Sequence, residues 1–325
     1  MMQAGLDLRA IFQARRRIAG EVVRTPLAAS PGLSAAAGGE VRLKLELLQE
    51  SGAFKLRGAT SMIRSLDEAE RAGGVVTVST GNHGRAVALA ARRAGIRAVV
   101  CLSHLVPGNK LEAIRALGAE LRIIGRSQDE AAVEAGRLAR EDGMVLVPPF
   151  DHPAIIAGQG TIGLELAEDW PELDTVLVPL SGGGLIAGIA LALKTIDPAV
   201  RVIGISMREG AAMQASLGAG RPLEVEEKAS LADSLGGGIG LDNRWTFDLC
   251  RRLVDEVILL DEEEIAAGMR HLFREERLVV EGAAAVGVGA ILAGKVDLAG
   301  RCAALVVSGR NVDMERFLDV VGGRP

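Results

Sequence analysis

Lys55 stands directly behind Phe54, where the turn Glu50-Ser51-Gly52-Ala53 gives way to the helix-forming run that begins at Leu56. A lysine in such a place is either a solvated cation, as most lysines are, or an amine kept for covalent chemistry with a carbonyl. Three further turns carry residues of chemical interest. Ser79-Thr80-Gly81-Asn82-His83-Gly84 presents hydroxyls, an amide and free backbone N–H groups at a helix start, a set suited to a carboxylate or a phosphate. A plain helix cap needs only one of these residues. Ser181-Gly182-Gly183-Gly184-Leu185 also joins an apolar run to a helix. Three consecutive glycines cost backbone entropy, and they let successive N–H groups converge on a phosphate at the positive end of the helix. The last turn, Val307-Ser308-Gly309-Arg310-Asn311, places a neutral hydroxyl at a strand end, where a simple turn-forming serine would serve equally well.

The elements that must hold these turns alternate between strand and helix. Residues 41–47, 75–79, 98–102, 120–124 and 144–147 read as strands, with helices over 56–72, 84–94, 108–117 and 128–140. A second series begins after Pro148-Pro149. It has strands at 175–180, 200–206, 257–260 and 302–307, and helices at 155–167, 185–195, 262–273 and 283–292. Glycines accumulate between 219 and 243, which reads as a long irregular segment of the kind that often carries function. The acidic run Asp261-Glu262-Glu263-Glu264 reads as a cap and first helical turn. The fold class is α/β, with two open parallel-sheet domains and helices on both faces. The domains are expected over 1–50 plus 149–325 (large) and 51–148 (small). Open parallel sheets bind ligands beyond the carboxyl ends of their strands, which is where all four turns lie.

Composition narrows the class of partner. A net charge of −5 gives no reason to expect nucleic acid. The run Arg15-Arg16-Arg17 reads as a solvated helix face. Cys101, Cys250 and Cys302 have neither zinc-finger nor redox spacing, and the four histidines form no i, i+4 pair, so no metal site is expected and a reducing compartment is. No apolar signal core or membrane-length span is visible, which makes the cytoplasm the expected location.

One lysine, one glycine phosphate cradle and one polar anion turn are together what pyridoxal 5'-phosphate requires. A dinucleotide is the rival reading, because Gly182, Gly184 and Ala187 satisfy a loose G-x-G-x-x-A pattern. The next strand ends at Ser206-Met207-Arg208 without the acid that would hold a ribose diol, and a dinucleotide leaves Lys55 idle. A silent ligand-binding relative is a third reading.

The chain resembles the serine/threonine dehydratase family of fold-type II pyridoxal-phosphate enzymes, with the tryptophan synthase β-like fold. The resemblance rests on Ser51-Gly52-Ala53-Phe54-Lys55-Leu56-Arg57-Gly58-Ala59, the 79–84 turn, Pro107-Gly108-Asn109-Lys110, and Pro149-Phe150-Asp151 with Ile156-Ala157-Gly158-Gln159-Gly160-Thr161. Ser181-Gly182-Gly183-Gly184-Leu185, Glu281-Gly282-Ala283 and Ser308-Gly309 complete it, in family order along nearly the whole chain. It implies that Lys55 holds the cofactor as a Schiff base and shuttles the α-proton, that Phe54 backs the ring, and that Asn82 bonds the ring hydroxyl. Ser79, Thr80, Gly81 and His83 would surround the substrate carboxylate. Gly182, Gly183, Gly184 and Leu185 would bind the phosphate, Ser308 would face the pyridine nitrogen, and Glu281 would lie near the ring. The implied reaction is β-elimination of water from a β-hydroxy-α-amino acid of the L-threonine or L-serine type, giving a 2-keto acid and ammonia, in a homo-oligomer, expected to be a dimer.

The chain departs from the family pattern in places that bear on substrate. Thr80 replaces the serine that serves racemases as a second acid–base group. Ser206 and Ala212 stand where relatives offer carboxylates to a cation. Ala232-Asp233-Ser234-Leu235 runs into Gly236-Gly237-Gly238 beside the expected substrate side chain. These features resemble the hydroxyectoine-utilisation dehydratases, which makes a hydroxyectoine-derived amino acid the alternative substrate. An amino-acid racemase is a further alternative.

Overall fold

Helix α1 (Leu8–Ile18) opens the chain of secondary structure, capped by the Asp7 carboxylate. The computed structural model describes residues 6–79, 81–104, 106, 108–125 and 128–323. In order there follow β1 (Leu27–Ala29), α2 (Pro31–Ala37), β2 (Glu40–Lys44), α3 (Lys55–Ser65), α4 (Glu68–Gly73), β3 (Val75–Val78), α5 (Asn82–Ala94), β4 (Ala98–Leu102), α6 (Gly108–Arg115), β5 (Glu120–Ile123), α7 (Gln128–Glu141) and β6 (Val145–Leu146). The second half holds α8 (Pro153–Asp169), β7 (Thr175–Pro179), α9 (Gly184–Ile196), β8 (Arg201–Met207), α10 (Ala212–Ala219), α11 (Thr246–Leu253), β9 (Glu256–Leu260), α12 (Glu262–Arg274), α13 (Gly282–Leu292), β10 (Cys302–Val306) and α14 (Met314–Gly322).

Among the described residues the strands form two sheets. One has six strands in the order β1-β2-β10-β7-β8-β9, the other four in the order β5-β4-β3-β6. All pairs are parallel except β1 with β2, where a short antiparallel strand finishes the edge of the larger sheet. Apolar helices pack on both faces of each sheet, the arrangement that buries near-continuous Val, Ile and Leu strands. In the large sheet, α8 and α9 cover one face and α13 the other. Helices α9 and α13 are buried almost all round. They lie between a sheet and an outer helix layer, so an amphipathic stripe would be out of place. In the small sheet, Leu89 of α5 and Leu56 of α3 share one core, while Leu138 of α7 packs on the opposite face.

Several boundaries differ from the sequence reading. The strand expected over 41–47 ends at Lys44 and turns into a 3-10 segment, Glu46–Leu48, which swings the Glu46 carboxylate inward to a buried partner. The helix expected over 56–72 is two helices. Asp67 starts the second with a capping box, its carboxylate accepting from Glu70 N at 2.9 Å while the Glu70 carboxylate accepts from Asp67 N at 2.9 Å. Strand β1 and helices α2, α10, α11 and α14 are additional to the reading. The acidic run at 261–264 does form a capping box and first turn, and 220–245 is irregular apart from the 3-10 turn Asp233–Leu235.

Helix α8 packs closely on both α3 and α9, and small residues permit it. A methyl group on Gly158 would lie 2.7 Å from both Arg57 O and Gly58 Cα of α3, and one on Gly188 of α9 would lie 2.6 Å from Gly160 N. Three helices therefore meet backbone to backbone, with α8 in the middle. Gly158→Ala should destabilise the fold by about 1–3 kcal/mol, the usual cost of overpacking. Gly218→Ala, which meets open space in α10, should stabilise it by roughly 0.5–1 kcal/mol through reduced unfolded-state entropy. Urea unfolding midpoints moving in opposite directions would check the pair; equal shifts would contradict the packing account.

Candidate active site

Lys55 is the first residue of α3, and the turn before it is stitched to the end of β10. Phe54 N donates to Ser308 O at 3.0 Å, and Ala53 forms an isolated antiparallel bridge with Gly309. Gly52 adopts φ +82°, a conformation that favours glycine. The Lys55 Nζ donates to Pro149 O at 2.7 Å and lies 5.2 Å from the centroid of the Phe54 ring. Burial of the amine lowers its pKa to about 8, against the upward pull of the Glu281 carboxylate.

Beneath Lys55, α3 is anchored by a buried ionic cluster. Arg57 donates to both oxygens of Glu46 (2.8 and 2.8 Å) and to both of Glu165 (2.6 and 2.8 Å). Lys44 Nζ donates to Glu165 Oε2 at 2.6 Å and to Thr25 O at 2.7 Å. The Thr25 hydroxyl donates to Glu46 at 2.5 Å. Burial would raise the Glu46 pKa, but Arg57, Thr25 and Lys44 outweigh it and hold the group below its ordinary value. Sequence reasoning passed over this cluster. Its one visible signal is Arg57, a charge set among Leu56, Gly58 and Ala59.

The polar turn after β3 contributes a second group. Gly81 N donates to the Ser79 hydroxyl at 3.3 Å; Thr80 lies outside the described residues. The Asn82 amide donates to both Glu281 oxygens, at 2.8 and 2.9 Å, and its own oxygen accepts from Asn311 Nδ2 at 2.6 Å. Asn311 also donates to Ser51 O and accepts from Arg85, so it joins the 79–85 segment to the lysine turn. Asn311 and Arg85 were not singled out from sequence. Between these residues and Asp233-Ser234 lies a cleft of about 90 Å³. His83 is buried and neutral: desolvation first, then the nearby Lys55 charge, lowers its pKa to about 3. Its Nε2 lies 3.0 Å from Val147 O, an acceptor only, so Nε2 carries the proton and donates. Its Nδ1 is a buried acceptor without a partner among the described residues.

The glycine turn after β7 lies at the start of α9. Gly183 caps the helix at φ +88°. A methyl group on Gly182 would lie only 2.3 Å from Phe150 Cδ1 of the ring, and one on Gly184 would lie 2.9 Å from Phe150 Cβ. Leu185 is buried in the first turn. Ser308, buried at the end of β10, presents its carbonyl to Phe54. Lys55, Phe54 and Ser308 are thus joined directly, as are Asn82 and Glu281. The link from the amine to the glycine turn runs through Pro149 and Phe150. Among the described residues no three of His, Cys, Asp and Glu gather to hold a metal ion.

Residues 18–309 match the model of a family described as pyridoxal-phosphate dependent enzyme. A Sinorhizobium fredii protein, provisionally named a threonine dehydratase, is 53% identical over 98% of this chain and 96% of its own length. The L-threonine ammonia-lyase of Thermotoga maritima is 44% identical over 95% of this chain and 76% of the relative. The structure of maize serine racemase superposes with a TM-score of 0.92 at 35% identity, covering 98% of this chain and 97% of that one. The chain belongs to the pyridoxal-phosphate-dependent enzymes and, within them, to the serine/threonine dehydratase family.

The Lys55 environment generates a direct test. Below a pKa of about 8 the amine is protonated and inert, and above it the lone pair is free. At pH 7.5 roughly a quarter of Lys55 should be free amine, against about 0.1% for an ordinary lysine. Acylation of cofactor-free protein by acetic anhydride, followed by peptide mapping, should label Lys55 with a rate midpoint near pH 8. A midpoint above pH 10 would contradict the desolvated environment.

Proposed function

We propose that this pyridoxal-phosphate-dependent enzyme is a dehydratase and ammonia-lyase that removes water from a β-hydroxy-α-amino acid of the L-threonine or L-serine type, giving a 2-keto acid and ammonia. The observation that carries the reading is the Lys55 amine. It is desolvated to a pKa of about 8 and fixed at the junction of the Ser308 strand end, the Asn82–Glu281 pair and the 149–150 segment that covers the glycine turn. The surroundings fit the cofactor. The glycine turn has no side chains to obstruct a phosphate.

When bound, pyridoxal phosphate supplies an electron sink conjugated to the substrate α-carbon. Lys55 would hold it covalently through Nζ, and the same amine would serve as the base for the substrate α-proton. Backbone N–H groups of Gly182, Gly183, Gly184 and Leu185 hold the phosphate at the start of α9. Ser79, Thr80 and Gly81 orient the substrate carboxylate through hydroxyl and N–H donors. Neutral His83 supplies no cation there, so these donors carry that task. Phe54 would back the ring, Asn82 and Glu281 would hold its hydroxyl, and Ser308 would face its nitrogen. A neutral serine does not keep that nitrogen protonated, as a carboxylate would, which favours prompt loss of the β-hydroxyl over transamination.

Residues 51–148 form the smaller domain in this reading, beginning with the lysine turn and α3, and 1–50 with 149–325 the larger. A cytoplasmic homodimer completes it. No helix among the described residues is long and apolar enough to cross a membrane. A hydroxyectoine-derived amino acid is the second substrate reading, motivated by the Ser206–Met213 and Ala232–Gly240 stretches.

Purified protein should absorb as a lysine-bound cofactor, and borohydride should fix the label on Lys55. It should release ammonia from L-threonine or L-serine, and Lys55→Ala should lower that rate by at least about 100-fold. 3-Hydroxyaspartate and hydroxyectoine-derived amino acids complete the panel. Ammonia from none of them would refute the lyase reading, and label on a different lysine would refute the role of Lys55.

A further inference from the structure

Three consecutive residues between the two sheets touch three different parts of the site. Pro149 O accepts from Lys55 Nζ at 2.7 Å. Phe150 covers Gly182 and Gly184. Asp151 reaches the other way and accepts three backbone N–H groups at the start of α11: Arg244 at 2.7 Å, Trp245 at 2.9 Å and Thr246 at 2.8 Å. One carboxylate thereby satisfies the donors that a helix start leaves open. Helix α11 in turn backs the glycine turn. Thr246 Cβ and Cys250 Sγ of α11 lie 3.1 and 2.9 Å from where a methyl group on Gly183 would be, and Met213 Cε of α10 lies 2.8 Å from the same point. The Cys250 thiol, pushed up to about 12 by burial, is an inert packing group.

The glycine turn is therefore gripped from two sides by neighbours in sequence: Phe150 directly on Gly182 and Gly184, and Asp151 through α11 on Gly183. Glycines have no side chains with which to hold their own conformation, so the aim of their N–H groups depends on these walls. We infer that Asp151 is a positioning residue for the phosphate cradle, fixing the α11 wall and with it the direction of the Gly182, Gly183 and Gly184 N–H groups. This rests on the proposed role of that turn. It assigns Asp151 no contact with cofactor or substrate.

The phosphate is the group whose binding should change, and comparison of pyridoxal phosphate with pyridoxal isolates it, because both can react with Lys55. Titration of cofactor-free protein, followed by absorbance, gives the affinity ratio of the two aldehydes. Asp151→Ala should lower that ratio about tenfold, equivalent to ~1.4 kcal/mol. Asp151→Asn keeps one acceptor oxygen and should lower it by less, about threefold, or ~0.7 kcal/mol. If the alanine variant does not fold, the asparagine variant decides. An unchanged ratio, with affinity for both aldehydes falling together, would mark Asp151 as merely structural and overturn the inference. So would tighter binding of pyridoxal phosphate, which would mean that the Asp151 charge repels the phosphate more than it orders the turn. A wild-type protein that binds both aldehydes equally well would instead overturn the phosphate role of the glycine turn, and the inference with it.

Discussion

Two cations and two carboxylates buried under one helix start set the geometry on which the rest of the site depends. Taking four charges out of water is expensive, and Coulomb attraction repays it only when every donor and acceptor is well placed. Here they are: Arg57 bridges Glu46 and Glu165 with four hydrogen bonds, and Lys44 closes on Glu165. Charges so arranged need not add net stability, since an apolar set of the same shape could do as well. What they add is direction. A guanidinium held by two carboxylates cannot rotate or slide without leaving a buried charge unpaired, so the first turn of α3 has one register, and Lys55, two residues earlier, inherits it.

Close helix packing carries that register across the molecule. Helix α3 meets α8 at Gly58 and Gly158, and α8 meets α9 at Gly160 and Gly188. Interiors this dense transmit displacement rather than absorb it. The amine at the head of α3 and the glycine turn at the head of α9 are thus spaced by backbone contacts, with no long flexible side chain in series. The near-continuous burial of α8 from Ile155 to Leu166 and of α9 from Gly184 to Leu193 follows from the same demand, with glycines at the points of closest approach.

What could be read from sequence, and what could not, divides along the distance between partners. The glycine turn, the polar turn and the lysine turn were legible because each is a local device whose residues are adjacent. The alternating strands and helices were legible from periodicity. The ionic cluster was not: Arg57 finds Thr161 and Glu165 104 and 108 positions away, and nothing near it in the chain announces them. Asn82 was picked as a site residue, but its partner Glu281 is 199 positions distant and its partner Asn311 is 229, so the pairing itself was invisible. Strand β1 was missed because three residues carry too little pattern. The break between α3 and α4 was missed because the Asp67–Glu70 box falls inside a helical period that continues across it.

The stitch between the lysine turn and strand β10 makes the head of α3 a joint. Ala53 and Phe54 are bonded to Ser308 and Gly309 at the end of the six-stranded sheet, while Leu56, just beyond Lys55, is buried in the core of the four-stranded sheet. The two Asn82–Glu281 hydrogen bonds join the starts of α5 and α13 and tie the same two sheets a second time. Lys55 is therefore constrained from both sides, and displacing one sheet against the other would strain the bonds at one of these ties.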